Sequence, residues 1–392
     1  MDRTDEILIP PDTDWLQNTD ARRVCDAVSA EGGSVFFVGG CVRDALLGLP
    51  GADVDLSTNV LPQDVVRLAG AAGLKAVPTG IDHGTVTVVS GGRGFEITTF
   101  RRDVQTDGRR AVVAFSDDIT EDARRRDFTM NAIYATPAGQ IVDPLGGVQD
   151  CLNRRVRFIE DADRRIREDY LRILRFFRFH AWYAPADQGF DPDALDAIAR
   201  NTSGLETLSG ERTGHEMMRL LSASDPAPAV AAMRQTGCLS HILPAADDRF
   251  LGPVVHLEET LGLSPDRILR LAALGGTDVA DRLRLSKKQT ARLELIGTAA
   301  FGGKTLPELA WRHDADIALA ALILRAACAD QPVDAAELSR LEQAATAVFP
   351  VTAQDLMPGL QGKALGEALK QMEARWIASD FTLSRKDLMT PE

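Results

Sequence analysis

The sequence has few cysteines and no long apolar run, and both shortages exclude classes of protein. Its five cysteines stand far apart without a C-x-x-C pair, so neither a disulfide framework nor a thiolate zinc site is indicated. No apolar stretch approaches the roughly 18 residues of a transmembrane helix, and the first residues are too acidic and polar for a signal peptide. We therefore expect a cytoplasmic protein with no membrane partner.

Excess positive charge is also lacking. The chain carries 44 Lys and Arg against 57 Asp and Glu, a formal net charge of −13, which argues against a general nucleic-acid coat. Residues 101–178 are the exception, with 16 arginines against 14 acidic residues. We expect any polyanion to bind near this segment, although alternating charges on a solvated helix face would give the same composition.

Two kinds of sequence pattern follow one another along the 392 residues. Up to about residue 145, short alternating or apolar runs predict strands, which cover 34–38, 53–57, 85–89 and 95–100. From about residue 160 onward only helical patterns remain, among them one predicted helix over 164–182. We therefore predict an α+β fold, in which a small mixed β-sheet head domain is followed by an all-α remainder.

Two aspartates and one glutamate on predicted strands are candidate metal ligands. Asp53 and Asp55 are two residues apart, so their carboxylates face the same side, and their Cα atoms are about 6.6 Å apart at roughly 3.3 Å per residue. Mg²⁺ prefers a few carboxylates together with substrate phosphate oxygens. Glu96, between two hydrophobic residues of another strand, is the third candidate. A solvent-facing strand surface would explain all three carboxylates without a metal.

A glycine pair, Gly39 and Gly40, ends the first predicted strand, and Arg43 and Asp44 follow at a helix start. Glycine lets the backbone approach a phosphate closely, and N–H groups with a cation at a helix start can hold a triphosphate. A tight turn from strand to helix would need the same glycines. These residues alone therefore leave phosphate binding open.

Three motifs in order resemble those of one enzyme family. The run 37–56 resembles the first motif of the class II tRNA nucleotidyltransferases, or CCA-adding enzymes, and bacterial poly(A) polymerases. The run 125–132, R-R-D-F-T-M-N-A, is similar to the second motif, and 168–172, E-D-Y-L-R, to the E-D-x-x-R motif. The resemblance covers 34–222; beyond it only the helical character and the segment 282–286 are similar.

The family resemblance implies a nucleotidyltransferase head followed by a helical neck, body and tail. We place an N-terminal extension at 1–27, the catalytic head at 28–150, the neck with base selection at 151–222, and the tRNA-binding body and tail at 223–392. The same resemblance implies that Asp53 and Asp55, with Glu96 as the nearby glutamate, are catalytic and bind two Mg²⁺ ions. It implies nucleotide binding by Gly39, Gly40, Arg43, Asp44, Arg125, Arg126, Asp127, Asn131, Asp169, Arg172, Arg175 and Arg178.

Asp169 and Arg172 are three residues apart on the predicted helix and would share a face. A carboxylate only accepts and a guanidinium only donates, so the pair complements a base edge with an amino donor beside a ring-nitrogen acceptor. Cytosine and adenine present that edge, whereas guanine and uracil present the reverse and would leave buried polar groups unpaired. The pair therefore predicts selection of CTP and ATP, although a surface ion pair would have the same spacing.

The function that the resemblance implies is addition of C, C and then A to the 3′ end of tRNA without a nucleic-acid template. CTP and ATP would be the substrates, Mg²⁺ the cofactor and pyrophosphate the product, with tRNA held through its acceptor and T arms. No obligate protein partner is implied.

Several alternatives remain open. Poly(A) polymerases and CC-only or A-only enzymes share the motifs, although the run 79–86 and the loop 101–110 are similar to enzymes that complete CCA. An RNA-binding adaptor without catalytic activity would be favoured if either strand aspartate, or Asp169 and Arg172, were missing. All four residues are present. A nucleotidyltransferase acting on a protein or small molecule would leave Asp169 and Arg172 without a use.

Overall fold

The computed structural model describes residues 8–51, 53–107, 110–185, 187–357 and 359–390. The chain divides into two compact units, of which Met1–Arg212 with Ala232–Ile242 forms the first and Thr213–Ala231 with Leu243–Glu392 the second. Within the described ranges no helix is both long and apolar enough to cross a membrane. The division into extension, head, neck, body and tail stays a prediction.

The strands of the first unit form one mixed sheet and one hairpin. They are β1 (Val35–Val38), β2 (Asp55–Thr58), β3 (Lys75–Gly80), β4 (Thr85–Ser90), β5 (Arg93–Thr99), β6 (Arg101–Asp107), β7 (Arg110–Phe115), β8 (Tyr134–Ala135) and β9 (Ile141–Val142). The sheet has the order β3-β4-β5-β2-β1-β8-β9, and β6 pairs with β7 separately. Within the sheet, β2 and β5 are parallel and the other neighbours antiparallel. The mixed sheet is the one that the sequence predicts.

Apart from turns and loops, the other elements of the described chain are helices. Up to residue 200 they are α1 (Asp14–Gln17), α2 (Thr19–Ser29), α3 (Gly40–Leu46), α4 (Pro62–Ala71), α5 (Ile119–Arg124), α6 (Gly147–Leu152), α7 (Ala162–Glu168), α8 (Leu171–Tyr183) and α9 (Pro192–Arg200). Short 3₁₀ helices lie at Ile81–His83, Thr129–Asn131 and Thr202–Thr207.

The later helices are α10 (Gly210–Leu220), α11 (Ala227–Gln235), α12 (Cys238–Ile242), α13 (Leu251–Thr260), α14 (Arg267–Leu274), α15 (Val279–Arg282), α16 (Lys287–Phe301), α17 (Leu306–Arg312), α18 (Ala315–Ala329), α19 (Ala335–Thr346), α20 (Ala353–Leu356), α21 (Gly362–Ala378) and α22 (Arg385–Met389). In the part of the chain that the structure describes, no strand follows β9. The all-α second part of the predicted fold is therefore confirmed.

The hairpin of β4 and β5 follows directly from its sequence. β4 alternates, and its Val86 and Val88 are fully buried, as the two-residue period of a strand requires. Gly91 and Gly92 between the strands have φ angles of 56° and 81°, in the left-handed region that glycine adopts without strain. The turn fixes the register of β5, which in turn places Glu96 beside β2.

Two predicted elements have the wrong limits. The strand expected over 53–57 begins at Asp55, so Asp53 precedes β2. The helix expected over 164–182 is interrupted at Asp169, whose φ of −155° and ψ of 107° are extended. Asp169 Oδ1 accepts the N–H of Leu171 at 3.1 Å, which supports the start of α8 in the way that a helix cap does. Asp169 and Arg172 therefore do not share a helix.

Other strands are absent from the sequence prediction. β3, β8 and β9 were not predicted, and the segment 101–110, expected as a loop, belongs largely to β6 and β7. Gly108 and Arg109 of that segment lie outside the described residues. The short strands β8 and β9 are only two residues long, which is too short for a periodic pattern to identify.

Candidate active site

The predicted metal carboxylates lie along the parallel pair β2 and β5. Asp55 and Glu96 are register partners, so their side chains leave the same face of the sheet side by side, and both are exposed. Asp53, just before β2, is exposed as well. The cleft removes part of the hydration of Asp55 and so raises its pKa, the negative charges of Glu96 and Asp53 raise it further, and Arg126 opposes them. Carboxylates that repel one another in this way are stabilised by a bound cation.

This donor set fits a divalent metal ion. Among the described residues, no group of three or more His, Cys, Asp and Glu side chains is placed to hold a metal by itself. Mg²⁺ does not need such a cage, because it keeps several waters and is usually bound by one or two carboxylates plus substrate phosphates. Asp55 with a neighbouring carboxylate provides that number of ligands.

Asp55 and Glu96 open into a cleft of about 190 Å³. The remaining lining residues are Val38, Leu56, Thr98, Arg101, Arg125 and Arg126. Carboxylates and guanidinium groups therefore share one small space. A metal ion at the carboxylates and an anionic phosphate at the arginines would both find charges of opposite sign there.

The glycine turn after β1 lies against one of these arginines. Gly39 has φ 72° and ψ −120°, a backbone conformation that L side chains rarely adopt, and Gly40 begins α3. A Cβ atom on Gly39 would stand 3.5 Å from Nη1 of Arg126. The backbone conformation of this turn therefore requires glycine, and the turn brings α3 next to the cleft.

Five predicted nucleotide-binding residues form one connected polar network. Arg43 donates to Asp44 Oδ1 at 2.8 Å and to Asn131 Oδ1 at 2.6 Å. Asn131 Nδ2 donates to Asp127 Oδ1 at 3.0 Å, and Arg175 Nε donates to Asp127 Oδ2 at 2.6 Å. The first motif, the second motif and α8 are thus joined through side chains.

Arg43 and Asp44 are the buried end of this network. Only 7% and 9% of their side chains are exposed, and Arg43 Nη2 also donates to the Tyr183 hydroxyl at 2.6 Å. The guanidinium lies 4.2 Å from the centre of the Tyr183 ring, in cation–π range. In this structure the two residues connect α3 to α8, and their predicted contact with a nucleotide stays a prediction.

Asp127 is held as an anion despite its burial. Burial acts to raise its pKa, but the charge of Arg175 and hydrogen bonds from Asn131 and the Phe128 N–H outweigh burial and lower the pKa well below its usual range. A buried carboxylate with these three partners is a rigid connector.

The side chains of the two residues expected to select the base have different hydrogen-bond partners. Asp169 Oδ2 accepts a hydrogen bond from Arg212 Nη2 at 2.7 Å. Arg172 Nη1 donates to Glu168 Oε2 at 2.8 Å, and its Nη2 donates to the Arg125 carbonyl at 3.1 Å. The sequence does not predict this partner of Arg212, because Asp169 is 43 residues away along the chain.

Both residues keep hydrogen-bonding capacity. Arg172 makes three side-chain hydrogen bonds, including one to the Arg165 carbonyl at 2.7 Å, out of the five N–H groups of a guanidinium. Asp169 accepts from Leu171 and Arg212, and a carboxylate has about four acceptor positions. A donor and an acceptor therefore remain for a ligand.

The last predicted arginine, Arg178, is buried and lies 4.5 Å from the centre of the Phe179 ring. Phe176, Phe177 and Phe179, which alternate with the arginines of α8, are buried too. These aromatic residues belong to the core. The predicted contact of Arg178 with a triphosphate is untested by the structure and stays a prediction.

Comparison with known proteins decides the family. Residues 35–157 match the poly A polymerase head domain, and residues 189–250 match the probable RNA and SrmB-binding site of polymerase A. The chain is 30% identical to the mitochondrial CCA tRNA nucleotidyltransferase 1 of Mus musculus over 98% of this chain and 92% of that protein. The chain belongs to the class II CCA-adding nucleotidyltransferase family. It is therefore a nucleotidyltransferase, and the resemblance of its three motifs is confirmed.

Two further relatives agree with this assignment. The CCA-adding enzyme of Geobacillus stearothermophilus is 38% identical over 57% of this chain and 54% of that protein. The crystal structure of the Bacillus stearothermophilus CCA-adding enzyme in complex with CTP has a TM-score of 0.70 and 28% identity over 92% of this chain and 93% of that one. The α+β architecture with a helical remainder is confirmed by this likeness. Members of the family generally use divalent metal ions.

The lowered pKa of Asp127 predicts an acid-dependent contribution to stability. We expect Asp127→Asn to lower the free energy of unfolding at neutral pH, because Arg175 loses its partner. The pKa of Asp127 is lower in the folded than in the unfolded protein, so its ionised form stabilises the fold at pH values above the unfolded pKa of about 4. This stabilisation is lost as the pH falls from there towards the folded pKa. Urea unfolding of both proteins from pH 7 downwards should therefore show a difference that narrows below about pH 4. A constant difference would contradict this account.

Proposed function

We propose that this chain adds C, C and A to the 3′ end of tRNA from CTP and ATP, without a nucleic-acid template and with release of pyrophosphate. The observation that carries the proposal is the register of Asp55 beside Glu96, in one cleft with Arg125 and Arg126. Family membership adds the substrate class, because its relatives are named CCA tRNA nucleotidyltransferase and CCA-adding enzyme.

The proposed metal ligands are Asp53, Asp55 and Glu96, and the proposed ion is Mg²⁺. When bound, Mg²⁺ would lower the pKa of the RNA 3′-hydroxyl and neutralise charge on the triphosphate. The oxygen donors of these carboxylates match its preference. Arg126, whose charge already acts on Asp55, would stabilise the charge on the phosphates from the other side of the cleft.

Asp169 and Arg172 are the proposed base-selecting residues. The remaining acceptor positions of Asp169 and remaining N–H groups of Arg172 suit the amino group and ring nitrogen of cytosine or adenine. Arg212 fixes one carboxylate oxygen of Asp169, and the Arg125 carbonyl fixes one nitrogen of Arg172. Selection would then depend on hydrogen-bond direction at two pre-oriented groups.

Poly(A) synthesis and partial addition are the other candidate activities. The match of residues 35–157 to a poly A polymerase head domain favours the first as a second candidate. A poly(A) polymerase would use ATP alone and add many A residues. A CC-only enzyme would stop before the terminal A, and an A-only enzyme would act only on tRNA that already ends in CC.

The deciding experiment supplies tRNA lacking its 3′ CCA, Mg²⁺ and each labelled NTP separately and together. We expect two additions with CTP alone, one addition with ATP alone on tRNA ending in CC, and complete CCA with both. A long ladder with ATP alone would support poly(A) polymerase activity. No transfer with any NTP would favour a binding protein.

Neutralising the carboxylates should stop transfer. We expect Asp55→Asn and Asp53→Asn to reduce turnover by well over tenfold, because loss of a metal ligand costs several kcal/mol of barrier. The matched control is Asp64→Asn, an exposed aspartate of α4 paired with Arg67. Single-turnover addition of CTP measures the effect. Turnover above about a tenth of wild type in Asp55→Asn would refute the assignment.

Removing either base-selecting residue should relax selectivity before it stops the chemistry. For Asp169→Ala and Arg172→Ala we expect incorporation of UTP or GTP to rise relative to CTP and ATP, since a bidentate contact discriminates by about 1–3 kcal/mol. Asp191→Ala is the matched control, because Asp191 also accepts N–H groups at a helix start and pairs with an arginine. Unchanged base ratios at a reduced overall rate would mean that Asp169 and Arg172 are only structural.

Binding of tRNA should weaken steeply with salt. A second cleft of the first unit, about 740 Å³, has a lining rich in arginine. Its residues are Arg102, Glu121, Arg124, Arg125, Glu160, Asp163, Arg164, Arg165, Arg167 and Glu168. We propose that RNA phosphates bind there, so that the tRNA dissociation constant rises strongly between about 50 and 200 mM salt.

Charge variants test the position of that contact. Arg164→Gln should reduce by about one the slope of the logarithm of the binding constant against the logarithm of the salt concentration. Arg67→Gln, which changes another exposed arginine on α4, should leave that slope unchanged. A dissociation constant that is insensitive to salt would contradict phosphate binding. Equal slopes for both variants and wild type would exclude Arg164 from the contact.

A further inference from the structure

Asp122 is a buried carboxylate that does not line the cleft of Asp55 and Glu96. It lies in α5, four residues before Arg126, and its side chain is 0% exposed. Burying a carboxylate is costly unless charged or polar groups compensate it. Its importance is not evident from the sequence, because Asp122 stands in a short run rich in both acidic and basic residues.

Three donors converge on one oxygen of Asp122. The Tyr134 hydroxyl donates to Oδ2 at 2.8 Å, Arg126 Nη2 donates to it at 3.1 Å, and Ser57 Oγ at 3.4 Å. Ser57 comes from β2, Tyr134 from β8 and Arg126 from the residues after α5. Asp122 thus joins β2, which carries the proposed metal ligand Asp55, to Arg126 of the second motif.

Arg126 is held at two of its three side-chain nitrogens. Nη2 bonds Asp122, and Nε donates to the Tyr134 hydroxyl at 3.2 Å, with the guanidinium 5.3 Å from the centre of the Tyr134 ring. Burial raises the pKa of Tyr134 well above its usual value, so its hydroxyl keeps the proton that it donates to Asp122. The third nitrogen, Nη1, lies beside Gly39, and Arg126 lines the cleft of Asp55 and Glu96.

We infer that Asp122 is a positioning residue for the transfer reaction: with Tyr134 it orients Arg126 so that one edge of the guanidinium points to the triphosphate. This inference rests on the proposed use of CTP and ATP. A guanidinium held along one edge loses little further side-chain freedom when a phosphate binds the other edge. Arg125 Nη1 lies 3.9 Å from the other oxygen of Asp122, too far for a hydrogen bond, so Asp122 acts through Arg126 and itself contacts no substrate.

The test compares Asp122→Asn with wild type in steady-state addition of CTP and of ATP to tRNA. Asparagine keeps the shape but loses the charge, so Arg126 is less firmly held. We expect KM to rise about tenfold for both nucleotides by the same factor, with a smaller change in kcat and unchanged base ratios. Equal factors are expected because the contact is to phosphate and not to the base.

A double variant separates positioning from stability. In an Arg126→Ala background, Asp122→Asn should raise KM no further, because its effect passes through Arg126. Asp150→Asn is the matched control: Asp150 is also buried in the first unit and accepts from Thr129 and Arg157. It should lower the melting temperature without changing KM.

The inference is overturned if Asp122→Asn lowers only the melting temperature, as the control does, or if its effect on KM adds in full to that of Arg126→Ala. Should Asp122→Asn not fold, Tyr134→Phe decides the question, since it removes only the hydroxyl. Tyr134→Phe should then raise KM in the wild-type protein and raise it no further in the Arg126→Ala background. An unchanged KM in Tyr134→Phe overturns the inference. Wild-type protein that adds no CCA refutes instead the proposed function.

Discussion

The site depends on the parallel pairing of β2 with β5. That register places Asp55 next to Glu96 on one face of the sheet, and it is fixed by the antiparallel neighbours on both sides, β1 and β4. Partial loss of hydration in the cleft raises the pKa of Asp55, and the negative charge of Glu96 raises it further. The fold therefore keeps negatively charged carboxylates next to one another, and a bound cation would reduce their repulsion. The arginines of the same cleft would match the negative charge of a triphosphate bound to that cation.

Ion pairs and hydrogen bonds from distant parts of the sequence hold the rest of the site around this register. Arg43, Asn131, Asp127 and Arg175 link three motifs through side chains, and Arg172 reaches back to the carbonyl of Arg125. Such buried networks stabilise only when their members are satisfied, so each partner restricts the orientation of the next. The residues proposed to bind the phosphates and those proposed to bind the base are thereby held by hydrogen bonds within the first unit.

The sequence predicts well what depends on local periodicity and on motif chemistry. The alternation of β4, the glycine pair that closes its hairpin and the helical second half follow from side-chain pattern and backbone freedom, and the ordered motifs identify the family. The interruption at Asp169 could not be predicted, because no Gly or Pro marks it and a side-chain hydrogen bond to Leu171 supports it. Asp122, Tyr134 and the contact of Arg212 with Asp169 were missed for a similar reason: the partners lie in other elements, and only the folded chain brings them together.

The central claim is that Asp55 and Glu96 share one cation, and metal binding tests it without relying on turnover. Mn²⁺, a spectroscopic substitute for Mg²⁺, can be titrated in the presence of a non-hydrolysable CTP analogue while free Mn²⁺ is followed by electron paramagnetic resonance. The account predicts that Glu96→Gln and Asp55→Asn each weaken Mn²⁺ binding by about tenfold or more, equivalent to about 1.4 kcal/mol. Wild-type affinity in Glu96→Gln would contradict the shared site and leave Asp55 to hold the metal without Glu96.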